Sequence, residues 1–330
     1  MNSMVERISG IPFLDYMRDK LLDPIGFSKE AWCIQTPEGT SWGGSGVLCT
    51  LRDMAKVAYV CMNNGRWKDA QLISEAYIRA ATSKQIDNSL FDSEGYGYQI
   101  WRERDNGFSF RGMGSQFALM FPDRDLLFAC VSDTQIMGAR GDLLVNQAFR
   151  ETIFANLHDQ PLPADREAYH ALERKLASLS IRPQQGNLNS LWAERIGGKW
   201  FRLDENPMGI TRLRFLFEGD EGTWEYENAT GFHQLRFGIG KHKAGIFPER
   251  HYYGVRIGQA KGEGYQCLVS GAWVEEHKLN LFVYITDDYL GTARMSFAFK
   301  DRDISVHMIK AAEWFLDEYQ GFAGGKLVSE

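Results

Sequence analysis

The 330 residues contain no apolar window approaching the roughly 18 consecutive residues that a membrane helix needs. The start, Met1-Asn-Ser-Met-Val-Glu-Arg7, lacks a basic stretch followed by an apolar run, so no signal peptide is visible. A basic excess is missing too. The net charge of −6 removes the general electrostatic case for nucleic acid or an anionic membrane as partner. Cysteine is scarce: Cys33, Cys49, Cys61, Cys130 and Cys267 are scattered, odd in number and form no C-x-x-C pair. That argues against a disulfide framework or structural zinc and for free cysteine as a small hydrophobe. Internal repeats and low-complexity tracts are also absent. The default location is cytoplasmic, with the reservation that an export signal would be carried by any longer N-terminus.

What is present is an ordinary globular balance, 44% hydrophobic and 24% charged residues, over a length suited to about two domains. The first half mixes helices with short strands. Pro12 is placed to open a helix at its first position, with Phe13, Leu14, Met17, Leu21 and Leu22 as its apolar stripe and Pro24 as its stop. Thr50 with Asp53 reads as the N-cap of a helix through Met54, Val57, Ala58 and Cys61. Asn63-Asn64-Gly65 ends it with residues that tolerate a left-handed cap. A short helix follows from Ser74 to Thr82.

The period then changes to that of strands, at Gly97–Trp101, Phe108–Phe110, Gln116–Phe121 and Leu126–Val131. The last two runs are apolar on both faces, as in the interior of a covered sheet. A helix is expected from Asp142 to Asn156. Pro161, Pro163 and Pro183 around a charged helix, Arg166 to Ser178, read as a connector. Beyond Leu191, alternating runs from Gly198, Leu213, Gly222, Tyr265, Lys278 and Ala293 predict a barrel or sandwich. The expected architecture is α+β: an antiparallel sheet with helices over 1–158, a linker with one helix over 159–192, and a mainly-β domain over 193–330.

Four segments of the first half carry a family resemblance. They are Ser9-Gly-Ile-Pro-Phe-Leu-Asp-Tyr-Met-Arg-Asp-Lys-Leu-Leu-Asp-Pro-Ile-Gly26, Gly43 to Lys56 with its Thr50-Leu-Arg-Asp53, Asn64-Gly-Arg-Trp-Lys-Asp-Ala-Gln-Leu-Ile-Ser74, and Tyr96-Gly-Tyr-Gln-Ile-Trp101 followed by Arg111-Gly-Met-Gly-Ser-Gln116 and Pro122. In this order they resemble the C-terminal part of β-lactamase-related serine hydrolases, a family of class C β-lactamases, penicillin-binding proteins, esterases and aminohexanoate-dimer hydrolases. The resemblance implies acyl-enzyme hydrolysis of an ester, amide or lactam. Such sites combine a Ser-x-x-Lys nucleophile, a Tyr-x-Asn element and a Gly-containing strand beside the substrate.

Only the strand is found. Phe110-Arg111-Gly112 takes its place, the N–H of Met113 would be its oxyanion donor, and Gly112 and Gly114 leave the substrate side open. Neither lysine nor histidine precedes Gly112, which departs from the family pattern and leaves β-lactam or D-Ala-D-Ala specificity without its usual anchor. Arg111 substitutes as an anion binder if it faces the cleft, but strand alternation equally allows it to point away. A strand kink or tight hairpin is the competing reading of Gly112-Met113-Gly114. No Ser-x-x-Lys occurs anywhere in the chain, and Tyr226-Glu-Asn228, the one Tyr-x-Asn, falls in the second domain.

The resemblance therefore implies a hydrolase fragment without its nucleophile, inactive alone. A small ester, amide or peptide-like substrate is expected, and no metal or cofactor. Self-association through an unpaired sheet edge is also expected, because Leu126–Val131 would lack its family partners. The alternative is a non-catalytic binding protein that works through the β domain. Other letters carry less. His233, His242 and His251 have no acidic or cysteine partner at ligand spacing. Gly238 to Gly245 has the glycines of a phosphate loop without a strand–turn–helix setting, so a hairpin turn is expected. Gly324-Gly-Lys326 fails that pattern, and Asn228-Ala-Thr230 is a glycosylation sequon by letters only. The aromatics Trp200, Trp224, Tyr252, Tyr253, Trp273, Phe282 and Tyr284 are assigned to a barrel core.

Overall fold

The computed structural model describes residues 2–36, 38–43, 46–88, 90, 93–248, 264–287, 290–311 and 319–328. The chain divides into two compact units, Met1–Asp159 and Gln160–Glu330.

In the first unit, helix α1 (Asn2–Ser9) is tied down through Glu6, whose carboxylate accepts from the backbone N–H of Phe13 at 2.8 Å and of Ser41 at 3.3 Å. Helix α2 (Phe13–Met17) has Pro12 as its N-cap, one position before the expected one, and widens into a π-turn over Arg18–Leu22. Helix α3 (Leu51–Met62) has the predicted start. Thr50 Oγ1 accepts from the Asp53 N–H at 3.1 Å while the Asp53 carboxylate accepts from the Thr50 N–H at 3.2 Å, a reciprocal capping box. Asn64 and Gly65 end it at φ 53° and 84°, as their residue types allow. Helix α4 (Glu75–Thr82) starts from an N-cap at Ser74.

The sheet of this unit runs in the order β1 (Gly95–Tyr96), β2 (Trp101–Arg102), β3 (Phe108–Gly112), β4 (Gln116–Phe121), β5 (Leu126–Cys130). Both faces are covered. Phe108, Ala118 and Met120 pack with Ala58, Cys61 and Met62 of α3 and Ile78 and Ala81 of α4. On the opposite face Phe117, Leu119 and Phe121 pack with Phe149 of helix α5 (Ala139–Thr152). This double cover explains why β4 is apolar on both sides.

Two expectations need correction. Gly97–Trp101 is not one strand: Gly97–Ile100 is the turn between β1 and β2, and only Trp101 belongs to β2. Gln99 sits at φ 62°, and a Cβ on Gly97 would lie 2.0 Å from the Ala81 carbonyl, so this backbone presses onto α4. Strand β5 lies at the sheet's edge among the described residues, in line with the expected unpaired edge, but its faces are not fully covered: every one of its residues is only partly buried.

The second unit carries helix α6 (Arg166–Ala177), N-capped by Asp165, and helix α7 (Leu191–Ile196), N-capped by Ser190. Its strands are β6 (Phe201–Leu203), β7 (Arg212–Glu218), β8 (Glu221–Asn228), β9 (Gly231–Ile239), β10 (Lys243–Phe247), β11 (Tyr265–Glu275), β12 (Lys278–Thr286), β13 (Leu290–Lys300), β14 (Asp303–Ala311) and β15 (Gly321–Leu327). They hydrogen-bond in the order β9-β8-β7-β6-β15-β14-β13-β12-β11-β10. A short parallel pairing of β9 with β11, Gly238↔Ser270 and Ile239↔Gly271, closes nine of them into a barrel. Strand β10 pairs antiparallel with the remaining edge of β11. Gly238–Gly245 is therefore not a hairpin: the chain turns at Gly240, φ 68°, but β10 pairs onward with β11.

Alternation fills the barrel with Leu213, Phe215, Trp224, Tyr226, Leu235, Phe237, Trp273, Phe297 and Phe299, all nearly or fully buried. Close approach sets where glycine is needed. A Cβ on Gly222 would lie 2.2 Å from the Phe237 ring, and one on Gly271 would lie 2.7 Å from it. The core assignment of the aromatics holds for Trp224 and Trp273. Trp200, just before β6, and Phe282 and Tyr284 are instead only partly buried; Phe282 and Tyr284 alternate with the buried residues of β12 and so face outward. Tyr252 and Tyr253 lie outside the described residues. Burial pushes the Cys61 thiol up to about 11 and the Cys267 thiol to about 12, as befits cysteines acting as core hydrophobes. No helix among the described residues is long and apolar enough to cross a membrane.

Candidate active site

Strand β3 alternates strictly. Phe108 and Phe110 turn toward α3 and α4, while Ser109 and Arg111 turn toward α5. Of the two orientations open to Arg111 in the sequence, the structure has the one in which its guanidinium is used internally. Its Nε donates to Glu103 Oε1 at 2.9 Å, and its Nη2 donates to both carboxylate oxygens at 2.6 and 2.8 Å. The Arg111 side chain is 4% exposed and that of Glu103 0%. Ser109 Oγ donates to the same carboxylate at 2.5 Å, and the Arg111 guanidinium lies 5.5 Å from the Phe117 ring. Arg150 of α5 approaches Glu103 at 3.8 Å and pairs with Asp105 at 2.8 Å. The network joins the β2–β3 hairpin, β3 and α5 into one body.

The strand ends at Gly112, and Met113-Gly114-Ser115 turns into β4. Gly114 and Ser115 take φ 76° and 66°. For Ser115 that conformation carries strain, and the surroundings over-determine it. Its hydroxyl donates to Asp142 Oδ1 at 2.6 Å and lies 2.7 Å from Thr134 Oγ1. The carbonyl of Ser115 accepts from Ser132 Oγ at 3.1 Å, and that of Gly114 accepts from Ser132 Oγ at 3.0 Å and the Thr134 N–H at 3.3 Å. Gln116 reaches the Ser132 carbonyl through its side-chain amide. Ser115 itself is buried and its bonding partners are partly buried, whereas Met113 is 59% exposed. A Cβ on Gly112 would meet Gln116, its side chain at 3.1 Å and its carbonyl at 3.7 Å.

The sequence places Phe110, Arg111, Gly112, Met113 and Gly114 on this strand and turn, and the structure keeps them together. The other sequence candidates belong to the second unit. Tyr226 of Tyr226-Glu-Asn228 lies inside the barrel, its hydroxyl 2.7 Å from that of Tyr319. Asn228 Oδ1 accepts from the Thr230 N–H at 2.9 Å, so the sequon is a turn. His233 Nε2 lies 3.0 Å from Asn228 Oδ1, and burial lowers its pKa. His242 Nε2 lies 3.0 Å from the Ile181 carbonyl, and His251 is outside the described residues. Among the described residues no cluster of histidine, cysteine and carboxylate could hold a metal. Gly324-Gly-Lys326 is strand, paired with β14. Sequence reasoning missed the Ser115–Thr134–Asp142 support. Its one legible signal is an acid in the first turn of α5.

A two-faced antiparallel sheet whose third strand ends in a pinned Gly-Met-Gly turn defines the class of domain. Residues 2–148 match the family model for Beta-lactamase, and this part of the chain is β-lactamase-related. No curated protein matches the chain. Among solved structures, a putative 6-aminohexanoate-dimer hydrolase from Bacillus anthracis is similar over 46% of this chain, with 15% identity and a TM-score of 0.36; the match spans 41% of that hydrolase's length. The REP1-NXSQ fatty acid transporter is similar over 42% of this chain and 99% of its own, with 12% identity and a TM-score of 0.29. A fatty-acid-binding protein from Drosophila melanogaster brain is similar over 40% of this chain and 98% of its own, with 12% identity and a TM-score of 0.27. These partial likenesses carry no argument about ligands or reactions.

Proposed function

We propose that the first unit supplies the substrate-facing strand of a serine hydrolase that cleaves an ester, amide or lactam through an acyl-enzyme. In this reading the Met113 N–H is the strand's oxyanion donor, Gly112 and Gly114 keep the approach open, and Phe110 and Arg111 hold the strand in place. The observation that supports the reading is the braced turn: Gly114 and Ser115 are bonded to Ser132, Thr134 and Asp142, while Met113 itself is exposed. The nucleophile would come from a Ser-x-x-Lys element that these 330 residues do not contain. Lone oxyanion donors give little rate, so this chain by itself should be inactive. The linker over 159–192 and the β domain over 193–330 would then be an appendage to that domain.

The test is covalent labelling by a serine-directed fluorophosphonate. The 330-residue chain should take up none, whereas the product captured from its source cells should be heavier and should label. Stoichiometric labelling of the 330-residue chain would overturn the missing-nucleophile reading. A native product of the same mass that also stays unlabelled would overturn the hydrolase itself.

A further inference from the structure

The outer wall of the barrel carries a charge arrangement that the fold does not complete. Across β14, β15, β6, β7 and β8, directly opposed residues form one row: Asp303, Lys326, Arg202, Arg212, Glu227. Lys326 pairs with Asp303 at 3.2 Å, and Arg212 pairs with Glu227. Arg202, in the middle, is exposed, faces a cation on each side and, among the described residues, takes part in no ion pair. Like charges directly opposite one another on a sheet are unfavourable. A row reading minus, plus, plus, plus, minus lacks one negative group at its centre.

That centre is also concave. A cleft of about 470 Å³ is lined by Trp200, Arg202, Leu203, Thr211, Arg212 and Val328, within the size range of small-molecule sites. Trp200 lies on the same face as Arg202, and the guanidinium groups of Arg212 and Arg214 rest over its ring at 4.5 and 4.7 Å. One side of the cleft is therefore apolar, from Trp200 and Val328, and the other is cationic. A free guanidinium offers a planar fork that matches a carboxylate or phosphate in a bidentate way.

We propose that this cleft binds a small organic anion, a carboxylate or phosphate monoester on Arg202 whose apolar or aromatic body lies against Trp200 and Val328. The anion would cancel the excess positive charge at the centre of the row, and the body would cover apolar surface that the strands leave open. The inference rests on the barrel alone and stands apart from the hydrolase reading.

Isothermal titration of the whole chain with 1-naphthyl phosphate, 1-naphthoate, inorganic phosphate and neutral 1-naphthol tests it. Both naphthyl anions should bind once per chain, and 1-naphthol at least tenfold more weakly. Arg202→Gln should weaken both anions tenfold or more, and Arg202→Lys should fall between. Trp200→Leu should weaken the naphthyl anions and leave inorganic phosphate unchanged. Without ligand, Arg202→Gln should melt no lower than the parent chain, because it relieves repulsion, and it should lose the ligand-induced rise in melting temperature. Equal binding to Arg202→Gln and the parent, equal binding of 1-naphthol and 1-naphthyl phosphate, or no heat at millimolar ligand would each overturn the proposal.

Discussion

Replacing Arg111 by methionine would leave the Glu103 carboxylate at 0% exposure without its bidentate partner. Breaking a buried ion pair from one side typically costs about 3–5 kcal/mol, since the remaining charge stays desolvated. Here Ser109 still donates to Glu103, and Arg150 stands 3.8 Å away, so the low end, about 3 kcal/mol, is expected. Removing both charges, with Glu103→Leu and Arg111→Met together, takes away the stranded carboxylate, so the double variant should lose clearly less than the sum of the single losses. The chain has two units, so one global unfolding curve would mix them. Native-state hydrogen exchange of peptides from β3 and β4 reads the affected unit directly. At about 1.4 kcal/mol per decade, Arg111→Met should lower protection there by about two orders of magnitude. The double variant should recover much of this. Strictly additive losses, with no coupling between the two positions, would refute the claim that Glu103 and Arg111 act as a unit.

Thr50→Ala should cost about 1 kcal/mol by removing the cap of α3, read as a lower urea midpoint. Burial alone would raise the Asp53 pKa, but hydrogen bonds from Thr50, the Ser28 N–H and Lys56 outweigh it and hold the group below its ordinary value. Its stabilisation is therefore present above the unfolded carboxylate pKa, about 3.9, and is lost as pH falls through the lower folded value. Asp53→Asn should remove that part of the acid limb from a stability–pH profile; an unchanged limb would contradict the assignment. Gly114→Ala, at φ 76° and with its Cβ 3.0 Å from Gln135, should destabilise the turn by about 1–2 kcal/mol and lower the melting temperature of the first unit. If the edge strand β5 drives self-association, sedimentation should show mass rising with concentration, and Val131→Lys, at a position 59% exposed, should suppress it.

Local chemistry made much of this legible in the sequence. The Thr50–Asp53 cap, the Asn64-Gly65 stop and the β4 run appear where side-chain pattern and turn residues put them. The sheet's order was less accessible. An apolar run on both faces marks β4 as covered, but β5 has the same letters and lies at the edge, since neighbours in a sheet are decided by distant chain. The Gly97–Trp101 run looks like a strand because its aromatics are spaced like one. Contact with α4 and a left-handed Gln99 bend it instead. β15 is hidden for the opposite reason: Gly321, Gly324 and Gly325 are turn letters, and only the ladders on both sides make them strand. At the candidate site the Gly-Met-Gly spacing could be read, whereas its support could not. Glu103, Ser109, Arg111 and Arg150 are ordinary polar residues until the fold buries them together.

The barrel's closure has a mechanical consequence. Strands β8 and β9 hold each other through eight opposed pairs and β12 and β13 through nine, but the ring is sealed by only two, at Gly238–Ile239 and Ser270–Gly271. The Gly240 N–H bond to the Gly271 carbonyl, at 2.8 Å, adds a single further tie. The β6–β7 ladder is equally short, with two opposed pairs, so under thermal agitation or load the ring should part at one of these two places while the longer ladders hold. The second unit would then breathe like a curled open sheet, and a slit at Gly238–Gly271 would bring solvent to Phe237 and Leu281.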